Sequence, residues 1–308
     1  MIAYVFPGQG SQFAGMGKQI AGESAIADEV LRVVDDALGF SLTEIMFGED
    51  ADALTPTEIQ QPAIFAHSVA AFAALRKRHA EGPALVAGHS LGEYSAVVAA
   101  GCLELEEAAR LVRKRGELMA AAGSQVGGAM AAILKMETAD VEKLVQDATG
   151  EGVLSVANFN SPGQVVISGE KAAVDAACAL AKERGGRGIP LKVSGAFHSP
   201  LMAPAAEMLK AELDSVHLSD ATVPVVSNVD ATARTDADGI RRALVQQVTG
   251  SVRWEESVRA MIAQGVDCFV EVGPGNVLAK LIERIDDSVR VASVGTLAEI
   301  NAFVESLG

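Results

Sequence analysis

Short apolar runs closed by glycine, proline or serine alternate along this chain with longer stretches of helical periodicity. Ile2–Phe6 stops at Pro7-Gly8-Gln9-Gly10, and Ala84–Gly88 stops at His89-Ser90. Val223–Ser227 and Cys268–Val272 are two more such runs. Runs of this kind, apolar on both faces, read as strands buried on both sides, the habit of a parallel sheet. Apolar residues at helical spacing predict helices over Ala25–Leu38, Gln61–His79, Glu104–Ala122, Ala237–Val248 and Glu255–Gln264, and a last strand and helix run to Leu307. Strand and helix in alternation predict an α/β fold with crossover helices on a parallel sheet.

The middle of the chain breaks that rhythm. Strand patterns at Ala129–Leu134, Val153–Phe159, Val165–Gly169 and Gly188–Val193 are separated by helical patterns at Ala139–Ala148 and Lys171–Glu183. The order is β-α-β-β-α-β, that of a ferredoxin-like unit. Residues 126–193 are therefore expected to form a small domain inserted into a larger one made of 1–125 and 194–308.

The strand at Ala84–Gly88 leads into Gly88-His89-Ser90-Leu91-Gly92, and an Ala-rich helical segment follows. Strand, sharp turn and helix around Gly-X-Ser-X-Gly is the setting of a nucleophile elbow, so the parallel-sheet domain is expected to be α/β-hydrolase-like. In that turn the serine hydroxyl projects outward and the glycines permit close strand–helix approach. Ser90 is the candidate nucleophile, and the Leu91 N–H at the helix start is a candidate oxyanion donor. The pattern alone is short enough to arise by chance, and an ordinary turn with a capping serine is the competing reading.

Composition narrows the function classes. The chain has 308 residues, 49% hydrophobic and 21% charged, enough for a substantial core. Its net charge of −15 argues against nucleic acid, which needs a basic face. Cys102, Cys178 and Cys268 lack metal-ligand spacing and read as small buried hydrophobes in a reducing compartment. No metal is expected, and neither a leader peptide nor a membrane span is visible, so a cytoplasmic protein is expected.

A serine nucleophile needs a base. Among the five histidines, His67 lies in an apolar helical run and reads as packing, His79 as a helix cap and His217 as surface. His89, as the immediate neighbour of Ser90, is expected to point away from the hydroxyl. His198 lies in Ser194-Gly195-Ala196-Phe197-His198-Ser199, a small-residue loop at the return from the inserted unit, where functional residues concentrate. Base and helix cap are both open for it. Asp140, Asp147 and Asp175 fall in helices of the inserted unit, so no acid of a hydrolase triad is visible. Glu93, Glu104, Glu106 and Glu107 are expected to be solvated. Gln9, in a glycine loop without a phosphate-binding signature, could donate a second oxyanion N–H. Arg115, beside Gly116, is ambiguous on its residues alone. Lys182, Arg184, Arg187 and Lys192, interleaved with Gly185, Gly186 and Gly188, are expected to form a mobile basic patch.

Six motifs in order resemble the malonyl-CoA:acyl carrier protein transacylase family nearly end to end. They are Phe6-Pro7-Gly8-Gln9-Gly10-Ser11-Gln12, Gly88–Tyr94, Arg115-Gly116, Asn158–Gln164, Phe197-His198-Ser199 and Glu271–Gly275. The resemblance implies a Ser90–His198 dyad that passes a malonyl group from coenzyme A to the phosphopantetheine thiol of acyl carrier protein, without a cofactor. It also implies an oxyanion hole at Gln9 and Leu91, and a malonyl carboxylate on Arg115. Gln247 is implied to orient His198 through its main-chain carbonyl, with His89 and Asn160 as supporting residues near the site. Phe197 matches malonyl-selective versions of its loop, and Ser251 stands where relatives often carry proline. An esterase, with water as acceptor, and a non-catalytic carrier-docking module are the competing functions; the first leaves Arg115 unexplained, and the second would not need both Ser90 and His198.

Overall fold

Two sheets divide the strands. A computed structural model describes residues 1–307, apart from the side chains of Val126 and Glu151. The strands are β1 (Ile2–Phe6), β2 (Leu85–Gly88), β3 (Gly128–Leu134), β4 (Leu154–Ser161), β5 (Gln164–Glu170), β6 (Arg187–Pro190), β7 (Val225–Val226), β8 (Ala233–Arg234), β9 (Cys268–Val272) and β10 (Arg290–Val294). The larger sheet has the order β10-β9-β1-β2-β7-β8, parallel throughout except for the β7–β8 pair at one edge.

Both faces of this sheet are covered, which is why its strands read as continuous apolar runs. Tyr4, Phe6, Val86 and Val270 enter one core with the helices Ala25–Leu38, Thr57–Arg78 and Leu105–Val126. Ala3, Val5, Leu85 and Phe269 face the other way, onto Val258 and Met261 of the helix Trp254–Ala263 and Ile282 of the helix Val277–Ile285.

The smaller sheet, all antiparallel, is built within residues 128–190 in the order β4-β5-β3-β6. Ala131, Ile133, Val165 and Ile167 pack on one face against the helices Thr138–Ala148 and Lys171–Glu183. Met130, Ala157 and Val166 face the main core. The element order β-α-β-β-α-β is the expected one.

Several boundaries shift, for physical reasons. The helix expected over Gln61–His79 starts at Thr57 and runs through Pro62. Proline cannot donate to the carbonyl four residues back. That carbonyl, on Glu58, instead accepts from Arg113 Nη1 at 2.7 Å. The helix Val277–Ile285 is absent from the sequence expectation, although Leu278, Leu281, Ile282 and Ile285 carry helical spacing and are buried. The strand expected over Gly188–Val193 runs Arg187–Pro190, so part of the basic patch lies on a strand, where Gly188 sits with a Cβ position 2.6 Å from Cys178 Sγ. Arg184 is paired with Asp147 at 2.5 Å.

Candidate active site

Parallel pairing of Phe6 with Gly88 brings the loops after β1 and β2 to the same edge of the sheet. The turn after β2 is tight: a Cβ on Gly88 would fall 1.9 Å from the Gly92 carbonyl carbon, and one on Gly92 2.0 Å from Phe6 O. Ser90 adopts φ 52° and His198 φ 57°, left-handed conformations that cost non-glycine residues about 1–3 kcal/mol each. The surroundings hold the strained serine by its own peptide groups. Its N–H donates to Asn228 Oδ1 at 2.7 Å, and its carbonyl accepts from Gln247 Nε2 at 2.8 Å.

The structure brings Ser90, His198, Arg115 and Gln247 together. Ser90 Oγ and His198 Nε2 are 2.7 Å apart. His198 Nδ1 lies 2.8 Å from Gln247 O and 3.2 Å from Gly250 O. Both are acceptors, so Nδ1 carries the proton and Nε2 presents a lone pair to the serine. Burial, and then the Arg115 charge, push the His198 pKa down to about 3.

Arg115 is 1% exposed, not solvated. Its Nη1 donates to Gln61 Oε1 at 2.7 Å, and its Nη2 to Gln247 Oε1 at 2.9 Å and Ser90 Oγ at 3.2 Å. Its guanidinium carbon sits 5.4 Å from the centroid of the Tyr94 ring, while Nε has no partner. Among the described residues it makes no ion pair. Its charge is held by neutral oxygens and is free to meet an anion.

A cavity of about 110 Å³ opens beside the serine, lined by Gln9, His89, Ser90 and His198 on its polar side and by Met119, Met130 and Phe197 on its apolar side. Among the described residues, the N–H groups of Gln9 and Leu91 have no hydrogen-bond acceptor. His89 does not approach the serine hydroxyl by a hydrogen bond. Its Nε2 meets Asn160 Oδ1 on β4 at 2.8 Å, and its ring packs 5.7 Å from Trp254. Burial holds the His89 pKa down. His67 is buried against Gly295 O, His79 ends its helix and His217 is exposed.

Glu93 contradicts the sequence expectation. It is 1% exposed, with Oε2 accepting from Gln247 Nε2 at 2.7 Å and from Asn228 N–H at 3.2 Å. It sits one turn beyond Ser90, on the buried side of the helix Gly92–Ala99. Sequence reasoning misses Gln61 and Asn228 altogether, because nothing local distinguishes a buried amide from a surface one. Among the described residues no helix is long and apolar enough to cross a membrane, and no group of three or more His, Cys, Asp or Glu could hold a metal ion.

The acyl transferase domain model matches residues 3–302. The malonyl CoA-acyl carrier protein transacylase of Bacillus subtilis is 44% identical, with 99% of this chain and 97% of that protein covered. The protein of the same name from Escherichia coli K12 is 43% identical, with 99% of each covered. The structure of the Coxiella burnetii malonyl CoA-acyl carrier protein transacylase superposes with a TM-score of 0.96 at 38% identity, covering 99% of this chain and 97% of that one. A malonyl-transacylase in complex with its type II polyketide acyl-carrier protein superposes at 0.95 and 39% identity, with 99% of each chain covered. A buried serine–histidine pair beside an unneutralised arginine, on a chain alike from end to end to these acyltransferases, belongs to the malonyl CoA-acyl carrier protein transacylase family.

Proposed function

We propose that this enzyme moves a malonyl group from malonyl-CoA to the phosphopantetheine thiol of acyl carrier protein through a malonyl-Ser90 intermediate, in two ping-pong half-reactions. The observation that carries the reading is that Ser90 Oγ lies 2.7 Å from His198 Nε2 and 3.2 Å from Arg115 Nη2. Histidine takes the serine proton as Oγ attacks the thioester carbon, then returns it to the departing coenzyme A sulfur. Gln247 O accepts from Nδ1–H and holds the ring, so no aspartate is required. The Gln9 and Leu91 N–H groups receive the oxyanion. Arg115 forks onto the malonyl carboxylate, a planar bidentate role that lysine cannot copy. Burial first and the arginine charge second hold His198 weakly basic, and the bound carboxylate offsets the second of these, strengthening the base that activates Ser90. In the second half-reaction the carrier thiol replaces the serine by the same proton path.

His89 and Asn160 support the site by joining the elbow to β4. The architecture is read as an α/β-hydrolase-like domain of residues 1–125 and 194–308 carrying a ferredoxin-like domain at 126–193, supported by the strand order of the two sheets. Intact-protein mass spectrometry tests the function. Malonyl-CoA should add one malonyl group, located on Ser90 by peptide mapping and removed by carrier protein faster than by water. Ser90→Ala should accept none. Discharge to water at the rate of discharge to carrier protein would favour an esterase instead.

A further inference from the structure

We propose that Glu93 is a positioning residue of the transfer reaction, acting through Asn228 and Gln247 to hold Ser90, His198 and Arg115 in one geometry. The proposal rests on the Ser90–His198 reading above.

One carboxylate oxygen, Glu93 Oε2, accepts from both Gln247 Nε2 and the Asn228 N–H, while Oε1 has no partner. The two residues it anchors bind the nucleophile's own peptide groups from opposite sides. Asn228 takes the Ser90 N–H on Oδ1 and donates Nδ2 to Gly88 O at 2.6 Å, bridging the elbow. Gln247 donates to Ser90 O, accepts Arg115 Nη2 on its side-chain oxygen and accepts His198 Nδ1 on its main-chain oxygen. Ser90, His198 and Arg115 thus each reach Glu93 through one intervening residue. Asn228 and Gln247 are both fully buried, so water offers no substitute.

Glu93 also sets the direction of the Gln247 amide. Its Oε2 accepts from Nε2 beside the Ser90 carbonyl, and together the two acceptors keep Nε2 on that side and Oε1 toward Arg115. Without it, Nε2 keeps only the Ser90 carbonyl and a longer contact to Asn228 Oδ1, so the side chain that links Arg115 to the serine peptide is held less firmly.

The test compares Glu93→Ala, Glu93→Gln, Asn228→Ala and the double variant Glu93→Ala/Asn228→Ala for kcat and KM of malonyl transfer, with Ser90→Ala as control. Glu93→Ala should lower kcat about 10- to 100-fold, the scale of a small misplacement of reacting groups. Glu93→Gln, whose amide oxygen still accepts both N–H groups, should restore most of that loss. Because the Asn228 side chain is one of the two routes from Glu93 to Ser90, the other running through Gln247, the double variant should lose clearly less than the product of the two single losses. A wild-type kcat in Glu93→Ala, or multiplied losses in the double variant, overturns the proposal. If Glu93→Ala does not fold, Glu93→Asp replaces it: the shortened side chain should lose kcat at an unchanged thermal midpoint, and a wild-type kcat there overturns the proposal. Substantial malonyl transfer by Ser90→Ala would instead sink the Ser–His reading, leaving the two failures distinguishable.

Discussion

Removing the guanidinium of Arg115 should separate malonyl from acetyl donors. The group is 1% exposed, hydrogen-bonded only to neutral oxygens and without an ion pair among the described residues, so under the proposed function its charge is unneutralised when the malonyl carboxylate arrives. Truncating one partner of a buried, hydrogen-bonded charge pair costs about 2–5 kcal/mol. At tenfold per 1.4 kcal/mol, kcat/KM for malonyl-CoA should fall about 30-fold to several-thousand-fold in Arg115→Ala. Truncation also leaves Gln61 Oε1 and Gln247 Oε1 without their donor, about 1–3 kcal/mol each in folding stability. That second cost falls on both donors alike, so the decisive quantity is the ratio of malonyl to acetyl transfer, with the thermal midpoint recorded alongside. Arg115→Lys should recover little, because one ammonium cannot bridge two glutamine oxygens and fork onto a carboxylate as well. If Arg115→Ala slows both donors by the same factor, the arginine is structural and the basis for carboxylate selection is wrong.

Three further outcomes are expected. In histidine-labelled protein, NMR should show the His198 ring neutral with its proton on Nδ1 from pH 8 down to about 5, because burial and Arg115 put its pKa near 3; protonation setting in near pH 6.5 would refute this. Burial raises the Glu271 carboxyl to about 7, against the bonds it accepts from Leu278 and Ala279 N–H. The folded state then binds more protons than the unfolded chain between about pH 4.5 and 7, and stability falls as pH rises through that window, by about 1.4 kcal/mol for each tenfold difference in proton affinity. Glu271→Gln should shrink the difference in unfolding free energy between pH 5 and pH 8 by up to about 3 kcal/mol, and an identical difference in both proteins would contradict it. For carrier docking, Arg187 and Lys192 are exposed, Lys192 lining with Gln9 a cavity next to the one at Ser90, whereas Arg184 is engaged by Asp147. Arg187→Glu/Lys192→Glu should raise the carrier-protein KM and flatten its salt dependence, leaving the coenzyme A half-reaction unchanged; Arg184→Glu should do less. Equal effects from all three positions, or none, would move the docking surface elsewhere.

The site is only partly legible in the chain. The elbow can be read because its signal is local: a strand, two glycines and a helix start within a few residues of Ser90. The loop carrying His198 stands out by its small residues and its place after the inserted unit. Arg115 cannot be assigned from its surroundings, since a helical arginine in a charged stretch looks solvated; the resemblance to a family singles it out. Glu93 misleads for a related reason. The polarity of a single residue says nothing of burial when its partners, Asn228 and Gln247, lie 135 and 154 positions away.

What the sequence by itself determined is what depends on short-range periodicity and turn chemistry: an α/β chain with parallel strands buried on both faces, a middle stretch in the order β-α-β-β-α-β, and a strained serine turn. Those follow from side-chain spacing and glycine placement, which act over a few residues. Only the tertiary structure decided which amides and carboxylates go inside and what they hold. Gln61, Asn228, Gln247 and Glu93 are ordinary polar residues until strand pairing and helix packing draw them together. Once buried there, the cost of leaving a polar group unpaired forces them onto one another and onto Ser90, Arg115 and His198.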